Sequence, residues 1–345
     1  MSQEPQPEKT RKGFNVVQLL VIAFMVLIGL ALAAGGAVIG GYAWLGYQFE
    51  AEGPSQNDTI YLSERGKGLI AIASDLEGEG LISDARIFRL KITLEGGERS
   101  LRAGEFAIPA GASMAEIYRI LREGDIIQHP ITLAEGLTSA MIVRILNEAE
   151  VLTGEISDIP AEGTLLPETY MVDRGTARQS VLNRMQAAQS ALLDELWDAR
   201  AEDLPFTTRE EAIILASIVE KETGLAEERP LVAAVFVNRL RRGMRLESDP
   251  TIIYGITQGE PLGRGLRRSE LDNAANPYNT YHVVGLTPTP IANPGAEAIA
   301  AVLNPPQSDY LFFVADGTGG HAFAARYNEH LRNVREWRRI ERQRR

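Results

Sequence analysis

The run Ile213-Ile-Leu-Ala-Ser-Ile-Val-Glu-Lys-Glu-Thr-Gly224 decides how the larger part of this chain is read. It is an apolar helical stretch that ends in two glutamates. A carboxyl group beside apolar walls keeps its proton above its solution pKa, because burial penalises the charged form. Such a group can protonate a leaving oxygen near neutral pH, as the acid of a glycosidase does. Thr207 or Thr208 is placed to cap the helix, with Glu210 and Glu211 in its first turn.

Working outward, Arg178–Ala201 has the pattern of an amphipathic helix, and Pro230–Arg241 forms another that carries Asn238-Arg-Leu240. Residues 243–296 are dense in Gly, Pro and Asn and read mostly as loop. They carry Ser248-Asp-Pro-Thr251, Tyr254 and Asn276-Pro-Tyr-Asn-Thr-Tyr281, residue types that hydrogen-bond to sugars and stack on them. Leu311-Phe-Phe-Val314 reads as a short buried strand. Asn328–Arg345 reads as a basic surface helix. Upstream, Glu162–Tyr170 reads as a turn leading to a strand edge.

A weak internal repeat precedes this region. Pro109-Ala-Gly111-Ala-Ser113 leads into Ile117, Ile120 and Leu121, and Glu135-Gly-Leu-Thr138 leads into Ile142, Ile145 and Leu146. A looser copy starts at Gly66, with Ile72 and Leu76. Each has a glycine turn, a Ser or Thr suited to an N-cap, and apolar residues at helical spacing. Ile87–Ile92 and Ile126–Leu133 are strand candidates beside them, which gives a small strand–helix–helix–strand pattern.

At the N-terminus, residues 1–13 are polar and carry Lys9, Arg11 and Lys12, while 16–45 are almost wholly apolar and uncharged. Roughly 20 residues suffice to cross a bilayer as a helix. Positive charge before the span and Glu50, Glu52 and Asp58 after it predict a cytoplasmic N-terminus. Ala31-Leu-Ala33 offers a signal-peptide alternative, but the apolar run continues well past it. Either way the rest of the chain is exported. The expected organisation is a cytoplasmic tail (1–15), a transmembrane helix (16–45), a linker (46–60), a small module (61–128) and a larger mixed domain (129–345), α+β in class.

The chain has 345 residues, a net charge of −11 and no cysteine. The acidic balance argues against nucleic acid as a partner. The missing cysteines remove disulfides, thiolate nucleophiles and cysteine metal sites. His129, His282, His321 and His330 form no zinc spacing, and no phosphate-binding Gly-Lys-Ser/Thr loop occurs. No cofactor is expected. Ser217 has no histidine at a telling position for a serine hydrolase.

Helix geometry does not choose between Glu220 and Glu222. Glu222 follows Ile218 by four and Val219 by three, bordering the apolar stripe; Glu220 follows Ala216 by four and Ile213 by seven, on a face that could line a cleft.

The set Ala216-Ser-Ile-Val-Glu-Lys-Glu222, Asn238-Arg-Leu240, Asp249-Pro-Thr251, Tyr278-Asn-Thr-Tyr281, Pro290-Ile291, Asn293-Pro-Gly295 and Gly320-His321 resembles the endolytic murein transglycosylase family (MltG, YceG-like). The resemblance runs from about Gly68 to His330 and includes the anchor. It implies that residues 61–128 form a LysM-like peptidoglycan-binding module and that Glu220 is the catalytic acid/base. It further implies cleavage between N-acetylmuramic acid and N-acetylglucosamine in nascent strands. The muramyl 6-hydroxyl then closes on the anomeric carbon to leave a 1,6-anhydro end, which ends elongation beside the peptidoglycan synthases (penicillin-binding proteins). A tethered nucleophile lets one carboxyl suffice. Asn238, Asp249, Thr251, Tyr254, Tyr278, Asn279 and Tyr281 are carried over as substrate-binding residues, and Glu168 is the partner should a second carboxylate be needed. Thr287 and Thr289 depart from the family's Gly-Leu-Pro-Pro-Gly-Pro run, and Asn276 stands where Ser is common, which bears on fine specificity. The rival readings are a hydrolase that admits water, and a peptidoglycan-binding scaffold without activity.

Overall fold

The computed structural model describes residues 15–344, so the basic tail with Lys9, Arg11 and Lys12 lies outside the described residues. The chain divides into two compact units, residues 1–127 and 128–345.

The first unit opens with α1 (Val16–Glu50), whose residues up to Trp44 are exposed and overwhelmingly apolar. The helix runs five residues past the expected span. Its last turns are packed: Leu45 and Phe49 are buried, and the Phe49 ring lies 6.0 Å from Phe88 and 6.4 Å from Tyr118. The segment read as a linker is tied down by bonds from Gly53 N to Gly111 O and from Gly111 N to Ser55 O. Then follow β1 (Thr59–Ser63), α2 (Leu69–Gly78), α3 (Ala85–Leu94), β2 (Gly104–Ile108) and α4 (Met114–Glu123). β1 and β2 pair antiparallel, with Tyr61 opposite Phe106. The buried face of the pair meets Ile72, Leu76, Phe88, Ile92, Ile117 and Leu121.

Two features of this unit answer the sequence. Ser113 caps α4 by accepting from Glu116 N, as the repeat predicts. Ile87–Ile92, expected as a strand, is helical. Asp84 accepts from the amides of Arg86 and Ile87 at the N-cap, and Ala85, Phe88 and Ile92 are buried at spacings of three and four. The local alternation of Phe, Arg, Leu, Lys and Ile fits both periods, and the cap decides between them.

The second unit comprises β3 (Gln128–Thr132), α5 (Ser139–Glu148), β4 (Leu152–Thr153), β5 (Thr169–Asp173), β6 (Thr176–Ala177), α6 (Arg178–Asp198), α7 (Arg209–Glu222), α8 (Arg229–Arg241), α9 (Asp249–Thr257), α10 (Arg268–Leu271), α11 (Ala296–Leu303), β7 (Phe312–Ala315), β8 (His321–Ala324) and α12 (Tyr327–Arg344). Three two-stranded pieces, β3–β5, β4–β6 and β7–β8, lie around the helices. α7 is the axis. Every residue from Ala212 to Val219 is buried, against Val232, Phe236 and Val237 of α8 and Ile299 and Val302 of α11. A helix apolar on all sides must be enclosed. Thr208 caps α7 in a reciprocal box with Glu211.

A second core joins Ile142 and Leu146 of α5, Val172 of β5 and Val181, Leu182 and Met185 of α6. Residues 243–296 are mostly loop, as expected, with α9 and the single turn α10 set into them. Pro250 at the helix start and Asp249 in the first turn make α9 a sound helix that the density of Gly and Pro around it hides. β7 is half-buried rather than buried, with only Leu311 beside it enclosed.

Candidate active site

α7 delivers its two glutamates at the last turn to different surroundings. The Glu220 side chain is only 5% exposed. Its Oε2 accepts from Gly295 N at 3.0 Å, and Oε1 lies 3.6 Å from Arg229 Nη2. Burial pushes the Glu220 carboxyl above its ordinary range; the Gly295 amide and Arg229 pull it down, and Glu135 pushes it up. Arg229 is itself buried and also binds Glu135 at 3.2 Å and Glu297.

Two connected loops build this pocket. Glu135-Gly136 lies against Asn293-Pro-Gly295, with Gly136 N donating to Asn293 O and Asn293 N to Leu137 O. The Asn293 side chain, fully enclosed, accepts from Leu165 N and donates to Leu137 O, Ser139 Oγ and Glu162 Oε2. A Cβ on Gly295 would sit 1.8 Å from Glu135 Oε1, so any larger residue there would push the Glu135 carboxylate aside. Ser217, one turn before Glu220, donates to Ile214 O and accepts from Ile291 N. It pins the Pro290–Gly295 loop to α7 and is enclosed, which leaves it no role as a nucleophile.

Glu222 faces the start of α9. It accepts from Ser248 Oγ at 2.5 Å, and burial lifts its carboxyl to about 7, against the pull of Ser248. Asp249, next in the chain, accepts from Tyr281 OH at 3.0 Å. Burial first, then the Asp249 charge, raises the Tyr281 hydroxyl. His321 stands close enough for its charge to bear on Glu222, and its Nδ1 meets Glu228 Oε2 at 2.7 Å.

Two clefts share Tyr254 as a wall. One, of about 430 Å³, includes Gly136, Lys221, Ile253 and Ile291; a Cβ on Gly136 would lie 3.4 Å from Glu220 Cγ, so Glu220 sits directly behind that wall. The other, of about 820 Å³, is lined by Glu162, Gln189, Tyr254 and Tyr278 among others. Tyr254 and Tyr278 meet edge to face at 5.1 Å, and Tyr278 OH bonds Thr289 at 2.9 Å. Burial raises the Tyr254 hydroxyl to about 12.

The residues expected to bind substrate therefore fall into two sets. Tyr254 and Tyr278 line a cleft, and Asp249 and Tyr281 flank Glu222. Thr251 and Asn279 are fully enclosed: Thr251 bonds Ser248 O and Thr280, and Asn279 donates to the carbonyls of Glu270, Leu271 and Asn273. Asn238 spends its amide on Ser308 O and Tyr310 O. These three hold loops. Glu168 is exposed, and its charge reaches Tyr170; the carboxylate felt by Glu220 is Glu135. Glu135, Glu162 and Arg229 are site residues that the sequence did not single out. Only the proximity of Glu135 to the repeat's Gly136-Leu-Thr138 pointed toward the first. Among the described residues no group of three or more His, Asp or Glu is placed to hold a metal ion.

The profile of the YceG-like family matches residues 63–336. Endolytic murein transglycosylases of two Streptococcus pneumoniae strains, D39 and R6, are each 30% identical to the chain across 93% of it. The chain spans 65% of their length. The endolytic murein transglycosylase of Bacillus subtilis strain 168 is 26% identical, over 77% of this chain and 81% of its own. The crystal structure of a YceG-like protein from Listeria monocytogenes matches with a TM-score of 0.50 at 25% identity, over 81% of this chain and 99% of the other.

Proposed function

The chain belongs to the YceG-like family, and from that premise we propose that it is a membrane-anchored endolytic transglycosylase acting on peptidoglycan strands. The observation that carries the reading is the enclosed Glu220 carboxyl at the end of α7, lifted by burial and gripped on one oxygen by the Gly295 amide. A carboxyl poised in this way delivers its proton to the glycosidic oxygen between N-acetylmuramic acid and N-acetylglucosamine. As that proton leaves, Arg229 and the Gly295 N–H stabilise the carboxylate that forms. The C1–O bond breaks, the muramyl 6-hydroxyl gives its proton to Glu220, and its oxygen bonds to C1. The products are a 1,6-anhydro end and a free N-acetylglucosamine hydroxyl, with Glu220 reprotonated for the next turnover. Strand elongation by a neighbouring peptidoglycan synthase ends at that cut.

Two further parts of the reading rest on the first unit. The order β1-α2-α3-β2, with its antiparallel pair, supports a LysM-like module that holds glycan. The 35-residue apolar α1 supports a single-pass anchor, and the charges of Lys9, Arg11 and Lys12 before it support a cytoplasmic N-terminus and an exported body.

A second assignment of the acid has its own observation. Burial lifts the Glu222 carboxyl to about 7, which suits proton donation at neutral pH. Digestion of uncross-linked glycan strands with the full chain, read by mass spectrometry, separates the readings. Anhydro ends from wild type, lost in Glu220→Gln and kept in Glu222→Gln, are the expected result. Loss in Glu222→Gln alone moves the acid to Glu222. Reducing ends in place of anhydro ends make the enzyme a hydrolase. No cleavage by wild type leaves a binding scaffold.

A further inference from the structure

We propose that the cleft walled by Glu162, Gln189, Tyr254 and Tyr278 binds a primary ammonium group on the peptide branches of the strand, so that the enzyme reads branches whose amine is still free. This rests on a peptidoglycan substrate, as argued above.

The cleft, about 820 Å³, is lined by no Lys, Arg or His, whereas Glu162 and Glu210 both border it. Gln189 is 3% exposed. Its Nε2 donates to Gly163 O at 3.0 Å, which fixes the amide's orientation and leaves Oε1 as a buried acceptor with no partner, on a residue that lines the cleft. A buried acceptor left unpaired costs stability, so the geometry invites a donor. Tyr254 and Tyr278 add aromatic faces suited to a cation. Burial raises the Glu162 carboxyl, with the Ser139 amide opposing; a cation settling beside it offsets that burial.

These features share one sign. Carboxylates, an amide oxygen and aromatic faces all accept, and an ammonium group is all donor with a positive charge. No Lys, Arg or His of the lining competes with that charge, and the hydroxyls and amides of Gln186, Ser190 and Gln258 are left for the neutral groups of the branch. Cross-linking converts a branch amine into a neutral amide. A site that needs the ammonium therefore passes over branches whose amine is already spent in a cross-link and favours those whose amine is still free.

The test is direct binding, which needs no cleavage. The probes are a branch tripeptide with a free lysine side chain and the same peptide acetylated on that amine. Titrated into the full-length Glu220→Gln chain in detergent, the free amine is expected to bind at least tenfold more tightly than its acetylated form. Gln189→Met, which keeps the volume and removes the acceptor, is expected to erase most of that preference. Glu210→Gln, at the exposed rim, should reduce it a few-fold and stands in should Gln189→Met fail to fold. Equal binding of the two peptides overturns the proposal, as does a peptide-free glycan fragment that binds in the cleft where the free-amine peptide does not. Strand cleavage by wild type is scored separately, so failure here is distinct from failure of the transglycosylase reading.

Discussion

Arg229 Nη2 stands 3.6 Å from Glu220 Oε1, and both side chains are enclosed. An opposite charge at that range favours the carboxylate, so Arg229 holds the Glu220 carboxyl lower than burial alone would set it. Replacing Arg229 by Met keeps most of the volume and removes the charge. The Glu220 pKa is expected to rise, and the protonated acid then persists to higher pH. In the profile of kcat/KM against pH the basic limb should move upward relative to wild type. A limb that stays in place means Arg229 does not govern the acid.

Glu222 makes a stability prediction of definite sign. Its folded-state carboxyl sits at about 7, above the roughly 4.3 of an unfolded chain. The folded form therefore holds a proton that the unfolded form has released. Its contribution is complete below the unfolded value and is lost as pH rises through about 7, by an amount on the order of 3 kcal/mol. Glu222→Gln escapes that loss, because its amide still accepts from Ser248 Oγ. Urea unfolding at pH 4, 6 and 8 should show the variant matching wild type at the lowest pH and gaining on it steadily. A gap independent of pH rules the assignment out.

The same two glutamates mark how far the sequence could be read. The apolar run 213–219 carries its burial on its face, because no solvent-exposed stripe interrupts it. The Thr208 cap, the Ser113 cap of α4, the cap of α5, where Thr138 accepts from Met141 N, and the N-terminal apolar helix were also legible, since each is a local signal. What surrounds Glu220 was not. Arg229 belongs to the next helix, Glu135 lies 85 residues upstream and Gly295 lies 75 residues downstream, so only tertiary packing brings them together. Asn238, Thr251 and Asn279 look like sugar ligands for the same reason that they make good loop fasteners. Their side chains both donate and accept, and the composition of a loop does not say whether the partner is a ligand or a carbonyl.

Gly163 should tolerate no side chain. Its φ is 79°, and a Cβ would lie 2.5 Å from Ile213 Cγ2 and 2.9 Å from Pro290 Cγ. Ile213 opens the buried face of α7 and Pro290 belongs to the loop pinned by Ser217, so neither yields cheaply. Gly163→Ala combines left-handed backbone strain with overpacking, an expected cost of about 2–4 kcal/mol. Thermal unfolding should show it, whereas Gly154→Ala, also at positive φ but with open space around it, should cost only about 1 kcal/mol. Equal losses at the two positions would mean that the contact with Ile213 contributes nothing.

Asn293 couples stability to activity most directly. It is fully enclosed, and its side chain closes bonds to Leu165 N, Leu137 O, Ser139 Oγ and Glu162. Two residues on, Gly295 N donates to Glu220. Asn293→Ala strands the Leu165 amide in a dry site and frees the loop from α5, at about 2–4 kcal/mol. The loosened loop no longer fixes the Gly295 amide on Glu220, so kcat is expected to fall at temperatures where the variant is still folded. Asn293→Asp serves as the control of shape. It keeps the acceptor for Leu165 N, but it puts a charge beside Glu162 where an amide donated, so it should fold less stably than wild type and share the kcat defect. Full activity in a folded Asn293→Ala protein would show that the Gly295 contact is held by the rest of the loop, not by this side chain.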